Sequence, residues 1–542
     1  MPAATQHEKK ALLLSIGSTI SVSAMAVSGI LLDNVGLVEP SATLRSVVTL
    51  LLMSVAVPTV LFFGGGLLRV AAFASPLILF LFFRSDAFYI VATMVGLDAA
   101  TSSWVAVAAF LLLAGMAIEP YRRRDPVRLG SLFLVVAASA AMASLAALAV
   151  AQGRGEGRTE DALAAFAPHV PKVPAPAADE PLPDIFYIVP DRYTDDATLA
   201  REFGGDGGSF RKELESRGFF VREAARANYP ATFQSLASTL NMADLTPLLD
   251  VLGPDGVDTE PVMSLVRDNA VQRELRGMGY TYAHLGSWWM GSRENSNADV
   301  QVYGVDSLWS HLNEYEAALL RRTPVAFLLA DGGSIDRREC ERLNFQLDWM
   351  ENARANAEGP LFVFAHLTIP HPPVTMDREG KCVPHVWYWI GDATWDEYRS
   401  AYLGYVSYLN RRLLEIFDAS RKVENDRGLI FVVQADEGPY PRRLQEDSPV
   451  PWPDLTAEEL RTKFGIINAI YWDADRYGPP HLTKTPVNNW RIIFSRITGR
   501  PIPLITDERS VVYRDKAHLF DMTDVTDVLE ERPTPPAGAG GE

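Results

Sequence analysis

The 542-residue sequence predicts two folds in one chain: an N-terminal multi-span α-helical membrane domain and a C-terminal α/β domain with a largely parallel sheet. Three observations predict them. Charge is segregated, with 9 Lys/Arg and 7 Asp/Glu in residues 1–152 against 41 and 60 in the rest. The first part carries long uncharged apolar runs. The second alternates short all-apolar runs with helix-length segments.

The net charge of −17 is therefore +2 on the first part and −19 on the second. This partition excludes a single cytosolic enzyme and a pure channel. Nucleic acid is not an expected partner, because the acidic part lacks an excess of Lys and Arg to neutralise phosphates.

Residues 11–32 carry no charge, enough helix at 1.5 Å per residue to cross a hydrocarbon core of about 30 Å. A cleaved signal peptide has a shorter apolar core, so an uncleaved span is expected. Further apolar runs cover residues 46–68, 70–83, 103–118 and 129–151. The run at 70–83 is short, or gives way to residues 88–97, which leaves four or five helices. Core helices of a large soluble protein are the other reading of such runs, and their number and near-absence of charge argue against it. The positive-inside rule selects five. Lys9-Lys10 and the cluster Arg122, Arg123, Arg124 and Arg128 both belong on the cytoplasmic side, so an even number of helices separates them. The run at 129–151 then carries everything after residue 152 outward. The expected location is a bacterial inner (plasma) membrane, multi-pass, with the second domain on the periplasmic side.

Residues 153–183 read as a Pro/Ala/Gly tether, with Pro168, Pro171, Pro174, Pro176, Pro181 and Pro183 and too few apolar side chains to pack. Residues 533–542 read as a disordered tail. The domain boundaries are thus 1–152, 153–183, 184–532 and 533–542.

In the second domain, the run at 185–189 ends at Asp191. The run at 361–365 leads to His366 and Pro370-His371-Pro372-Pro373, and that at 429–433 to Asp436-Glu437-Gly438. A fourth run covers 464–471. Helical segments are expected at 208–216, 265–278, 337–355 and 395–420. Runs apolar throughout suit strands covered on both faces, hence a largely parallel sheet. Ligands of such sheets bind beyond the carboxyl ends of the strands. One carboxylate there usually caps the next helix. Three strands delivering Asp191, His366 with His371, and Asp436 with Glu437 argue for one site. Asn228-Tyr229-Pro230 then runs into a helix whose first turn holds Thr232. Free N–H groups and the positive dipole end suit an anion there, although a plain N-cap threonine is the other reading.

Five segments resemble, in order, the membrane-anchored sulfatase-like proteins of the alkaline phosphatase superfamily, the group of lipoteichoic acid synthases and phosphoethanolamine transferases. They are residues 183–191, 228–242, 366–373, 436–439 and 485–491, and the resemblance spans about 183–507. It implies an alkaline-phosphatase-like (sulfatase-like) domain with a metal held by Asp191, Thr232, Asp436 and Glu437, Thr232 being also the nucleophile. His371 would hydrogen-bond the transferred group or protonate the leaving alkoxide. His366 and Arg192 would bind substrate, or His366 would be a structural histidine that orients its loop.

Two departures matter. The family has Asp-His-Gly where this chain has Asp436-Glu437-Gly438, and Leu-Asp-Gly-Tyr where it has Pro190-Asp191-Arg192-Tyr193. An all-oxygen ligand set would favour Mn²⁺ or Mg²⁺, with Ca²⁺ or Zn²⁺ behind them. Alternatively Arg192 pairs with Glu437 and the metal is lost, leaving a non-catalytic envelope protein of the sulfatase fold. Formylglycine sulfatase chemistry is not expected, because Cys382-Val383-Pro384 lacks the arginine of Cys/Ser-x-Pro-x-Arg and lies far beyond Thr232. Cys382 pairs with Cys340, the other cysteine, or remains a structural thiol.

The activity implied is metal-dependent transfer or hydrolysis of a phosphoryl-linked, less readily a sulfuryl-linked, group on a lipid or envelope glycan. The bilayer and a membrane lipid or lipid-linked glycan are the expected partners. A transporter is disfavoured by the scarcity of charge inside the apolar runs.

Overall fold

The computed structural model describes residues 4–33, 40–84, 99–153, 156–176, 181–256, 258–304, 334–387, 394–444, 450–515 and 518–531, with Glu316, Leu319 and Thr323. The chain forms two compact units. One comprises residues 1–156 and 307–335, the other 157–306 and 336–542.

The first unit contains helices α1 (Gln6–Asp33), α2 (Pro40–Gly64), α3 (Gly66–Phe82), α4 (Ala99–Arg123) and α5 (Pro126–Gly153). Four are long and apolar enough to cross a membrane, and α3, at 17 residues, is shorter. Residues 88–97 lie outside the described residues. Leu52, Val60, Leu112 and Val135 point outward, a surface suited to lipid and not to water. Hydroxyls face inward: Ser15 Oγ donates to the Ala72 C=O at 2.6 Å, and the Ser23 and Ser54 hydroxyls lie 2.8 Å apart. Such bonds join helices where apolar contact alone does not distinguish neighbour from lipid. Glu8 pairs with Arg69 at 3.0 Å and His7 with Asp125 at 2.9 Å. The start of α1, the start of α3 and the α4–α5 turn therefore share one end of the bundle.

The second unit is built on strands β1 (Asp184–Pro190), β2 (Phe220–Val221), β3 (Thr281–Leu285), β4 (Val300–Val302), β5 (Leu361–Leu367), β6 (Val374–Met376), β7 (Cys382–Trp387), β8 (Leu429–Gln434), β9 (Asn468–Trp472), β10 (Val511–Tyr513) and β11 (Met522–Asp524). Seven form one sheet in the order β2-β9-β8-β1-β5-β3-β4, while β6 with β7 and β10 with β11 make small ribbons. Strands β8, β1, β5, β3 and β4 are parallel, while at one edge β9 pairs antiparallel to β8 and β2 antiparallel to β9. Side chains alternate between faces. Phe186 and Ile188 thus enter a core with Leu409, Leu413 and Phe417, and Tyr187 and Val189 one with Leu236, Leu240 and Trp490. An α/β unit with a mostly parallel sheet is what the apolar runs predict.

Several boundaries differ from expectation. The run at 464–471 is not one strand: Phe464 ends a helix (Ala457–Phe464) and β9 begins at Asn468. A capping box of Thr456 and Glu459 starts that helix. The helix expected at 265–278 is two, separated where Asn269 caps the second by accepting from the Gln272 N–H. The stretch at 153–183 is not simply a tether. It contains α6 (Glu156–Phe166), whose Ala162 and Phe166 are buried in the core of the second unit with Leu163 packed beside them. Three apolar residues at this spacing form a helical stripe, enough to anchor a segment whose composition looks unstructured. Residues 177–180 and the tail at 533–542 lie outside the described residues.

At the amino end of β1, the fully buried Asp184 meets two guanidiniums, Arg354 Nε at 2.8 Å and Arg427 Nε at 3.1 Å. It also accepts the Leu361 N–H at 3.0 Å, fixing β1 against β5. Cys340 and Cys382 form a disulfide between the helix Ser334–Ala353 and β7, which fits an oxidising compartment. It also removes Cys382 from any formylglycine role.

Candidate active site

The three central strands β8, β1 and β5 deliver Asp436, Asp191 and His366 to one crevice at their carboxyl ends. The β1–β5 register pairs Val189 with His366, and the Asp191 N–H donates to the Leu367 C=O at 2.9 Å. His366 Nε2 lies 3.6 Å from Asp191 Oδ2 and 3.9 Å from Asp436 Oδ2. One ligand atom from each of the three residues falls within 4.8 Å of the others. Two ligands bound about 2.05 Å from a tetrahedral ion stand about 3.3 Å apart, so the trio is close to that spacing. Asp191 Oδ1, His366 Nε2 and Asp436 Oδ2 are buried with no hydrogen-bond partner among the described residues. Buried polar atoms are rarely left so. Two carboxylates and an imidazole are the donor types a divalent ion takes.

The electrostatics agree. Burial would push the Asp191 carboxyl up, but the neighbouring His371, His366 and Arg192 outweigh it and hold the group below the usual carboxylate range. Asp436 moves well above that range through burial, then through the charges of Asp191 and Glu437. Two close carboxyls divide this way when no cation sits between them.

Thr232 is the first residue of its helix (Thr232–Asn241), and the N-cap position belongs to Ala231. Its side chain instead lies where it favours the ionised form of Asp436. The segment at 485–491 explains how this helix is held. Asn228 Oδ1 accepts the Val487 N–H at 3.3 Å just before the helix, and Arg491 Nε donates to the Met242 C=O at 2.8 Å just after it.

Glu437, an expected ligand, stands outside the trio. Its Oε1 accepts from Arg192 Nε at 3.0 Å and from Lys463 Nζ at 2.8 Å. All three side chains are buried, and both cations lie over the Tyr440 ring, at 4.4 Å and 4.3 Å from its centroid. Burial pushes the Lys463 ammonium down against the pull of Glu437. Arg192, expected to meet substrate, is thus turned to Glu437. It does so from φ +64°, a conformation uncommon for a residue with a Cβ, with its C=O accepting from the Tyr402 hydroxyl at 2.8 Å. His366, two strands from Asp436, supplies an imidazole to the trio.

His371 follows in the Pro370-His371-Pro372-Pro373 loop, with Nδ1 hydrogen-bonded to the Pro372 C=O and its ring 5.7 Å from Trp288, edge to face. Trp289 stands in the same relation to His366 at 5.5 Å.

No protein-family model and no curated protein matches the chain. Among solved structures it is similar to an integral membrane lipooligosaccharide phosphoethanolamine transferase A from Neisseria meningitidis, at 13% identity, covering 95% of each chain, with a TM-score of 0.38. It is also similar to the C-terminal periplasmic domain of EcEptC from Escherichia coli in complex with Zn, at 12% identity over 66% of this chain and 98% of that one, with a TM-score of 0.39. A protein in the alkaline phosphatase superfamily from Vibrio parahaemolyticus gives 14% identity, 66% and 82% coverage, and a TM-score of 0.37.

Sequence reasoning missed the residues behind the site. Lys463 sits in a charged, amphipathic helix where a lysine ordinarily faces water. Strand β3 forms no continuous apolar run, because Thr281, Tyr282 and His284 interrupt it. Its His284 is buried, donates from Nε2 to the Ser292 C=O at 2.9 Å, and faces the Tyr282 hydroxyl at 3.0 Å through Nδ1. Burial pushes its imidazole down to about 4.

Proposed function

We propose that this chain is a metal-dependent enzyme that transfers or hydrolyses a phosphoryl-linked group on a lipid or lipid-linked envelope glycan. Five helices anchor it in a bacterial inner membrane, with the α/β unit on the periplasmic side. The observation that carries the reading is the buried trio Asp191, His366 and Asp436, each with an unpartnered atom, beside a helix that begins at Thr232.

Asp191, His366, Asp436 and Thr232 would hold the ion, which when bound would lower the hydroxyl's pKa and neutralise charge on the transferred group. With an imidazole in the set, Zn²⁺ or Mn²⁺ suits it better than Mg²⁺ or Ca²⁺. Thr232 Oγ, having released its proton to solvent, attacks phosphorus at the start of its helix, where free N–H groups favour an anion. The bond to the leaving alkoxide breaks, and His371 supplies its proton. An acceptor hydroxyl or water then gives its proton back to His371 and attacks phosphorus, and the bond from phosphorus to Thr232 Oγ breaks. Membrane anchoring supports a lipid-linked substrate, since it confines both to one surface.

The Arg192–Glu437 pair favours a second reading, a non-catalytic envelope protein. One experiment separates them: metal analysis of the purified chain, with mass spectrometry of envelope lipids and glycans from wild-type and T232A cells. The enzyme reading expects one divalent ion per chain and loss of a phosphate-bearing substituent in T232A. No stoichiometric metal and an unchanged envelope would sink it.

A further inference from the structure

The metal reading leaves unexplained why His366 presents Nε2 to the carboxylates, since an imidazole can carry its proton on either nitrogen. The loop after β3 holds the answer. His366 Nδ1 lies 2.8 Å from Ser292 Oγ, which lies 2.8 Å from Ser287 Oγ. Ser287 Oγ accepts the Trp289 N–H at 3.0 Å and reaches the Trp289 C=O at 3.3 Å. All of this is buried at Ser287, Ser292 and His366.

Each hydroxyl has one proton, so the chain runs in one of two directions. Run outward, His366 Nδ1–H donates to Ser292, Ser292 to Ser287, and Ser287 to the Trp289 C=O, which satisfies every donor. Run inward, Ser292 donates to Nδ1 and the ring proton moves to Nε2. There it faces carboxylate oxygens at 3.6 and 3.9 Å, beyond hydrogen-bond reach. The Trp289 C=O accepts the Ser292 N–H at 3.1 Å in either run, so it is the Nε2–H left without an acceptor that disfavours the inward one. Ser292 is itself fixed, its C=O accepting from both His284 Nε2 at 2.9 Å and the Ser287 N–H at 3.0 Å.

We propose that Ser292, backed by Ser287, is the positioning residue that fixes His366 as its Nδ1–H tautomer and thereby presents a bare Nε2 to a divalent ion. The inference rests on the metal reading above. Partners of this kind on ligand histidines typically change metal affinity by roughly 10–100-fold.

The test is Zn²⁺ titration of the purified, metal-stripped full chain against a competing fluorescent chelator, with thermal unfolding of the metal-free form as a check on folding. S292A is expected to weaken Zn²⁺ binding roughly 10–100-fold and S292T to restore most of the affinity. If the added methyl of S292T does not fit, S287A gives the independent reading, a smaller weakening in the same direction. Wild-type affinity in both S292A and S287A, with H366A clearly weaker, overturns this proposal and leaves the metal reading standing. Equal binding by H366A and wild type overturns the metal reading itself, and this proposal with it.

Discussion

Arg192 and Glu437 form a buried ion pair at 3.0 Å, and Lys463 joins the same carboxylate oxygen at 2.8 Å. One carboxylate therefore compensates two cations beside the strand ends. Removing it leaves both charges buried without it, a change that typically costs 3–5 kcal/mol. E437Q is expected to lose about 3 kcal/mol or more of stability in chemical denaturation followed by tryptophan fluorescence. E437H, which restores the imidazole of the related motif, is expected to lose a similar amount, because the guanidinium and ammonium remain.

His371 is assigned the leaving-group proton. H371Q is expected to slow transfer from a natural alkoxide-leaving donor by roughly 10²–10⁴ and to leave turnover of an aryl phosphate donor, whose phenolate needs no proton, much less affected. Equal losses on both donors would remove the acid role.

His284 gives the α/β unit an acid-sensitive interior. Its folded value of about 4 lies below the ordinary 6.5, so between these pH values the unfolded chain binds a proton that the folded chain does not. Stability therefore rises with pH through this window and is lost as pH falls from 6.5 to 4, by about 3 kcal/mol at 1.36 kcal/mol per unit. H284Q, which keeps a donor for the Ser292 C=O, is expected to flatten that slope in denaturation curves measured across the window.

The Cys340–Cys382 bridge closes a sequence separation of 42 residues. Chain-entropy reasoning gives a loop of that size about 4 kcal/mol. The double substitution C340S with C382S is expected to lower stability by up to that amount, with no change in Zn²⁺ affinity, since neither sulfur belongs to the trio.

Much of the site was legible in the sequence. Asp191 and Asp436 could be found because uninterrupted apolar runs announce buried strands, and such strands place their following residues in one crevice. Thr232 was legible as a helix start. What could not be read were relations between distant segments. Glu437 looks like a ligand until Lys463, from a helix further on, is brought against it. His366 could be read as a strand-end residue of the same crevice, but only the pairing of β5 with β1 shows that its Nε2 faces the two aspartates. Ser292 gave no signal at all, since its role depends on the loop after β3 folding back over β5. The α6 helix was hidden by the glycine and proline on either side of it.

The strand β1 carries a buried carboxylate at each end, and the two ends answer the same electrostatic problem differently. Asp184 has its countercharge wired into the polypeptide as Arg354 and Arg427, always present and indifferent to the medium. Asp191 shares its crevice with a second acid and, on the proposed metal-dependent reading, would leave part of the countercharge to be recruited from solution. The base of the sheet is thereby self-sufficient, while on that reading its opposite edge would depend on the ionic content of the compartment around it. Chelation should loosen the loops that carry Asp191, Thr232 and Asp436 and leave the junction of β1, Arg354 and Arg427 protected, a contrast that hydrogen exchange resolves residue by residue.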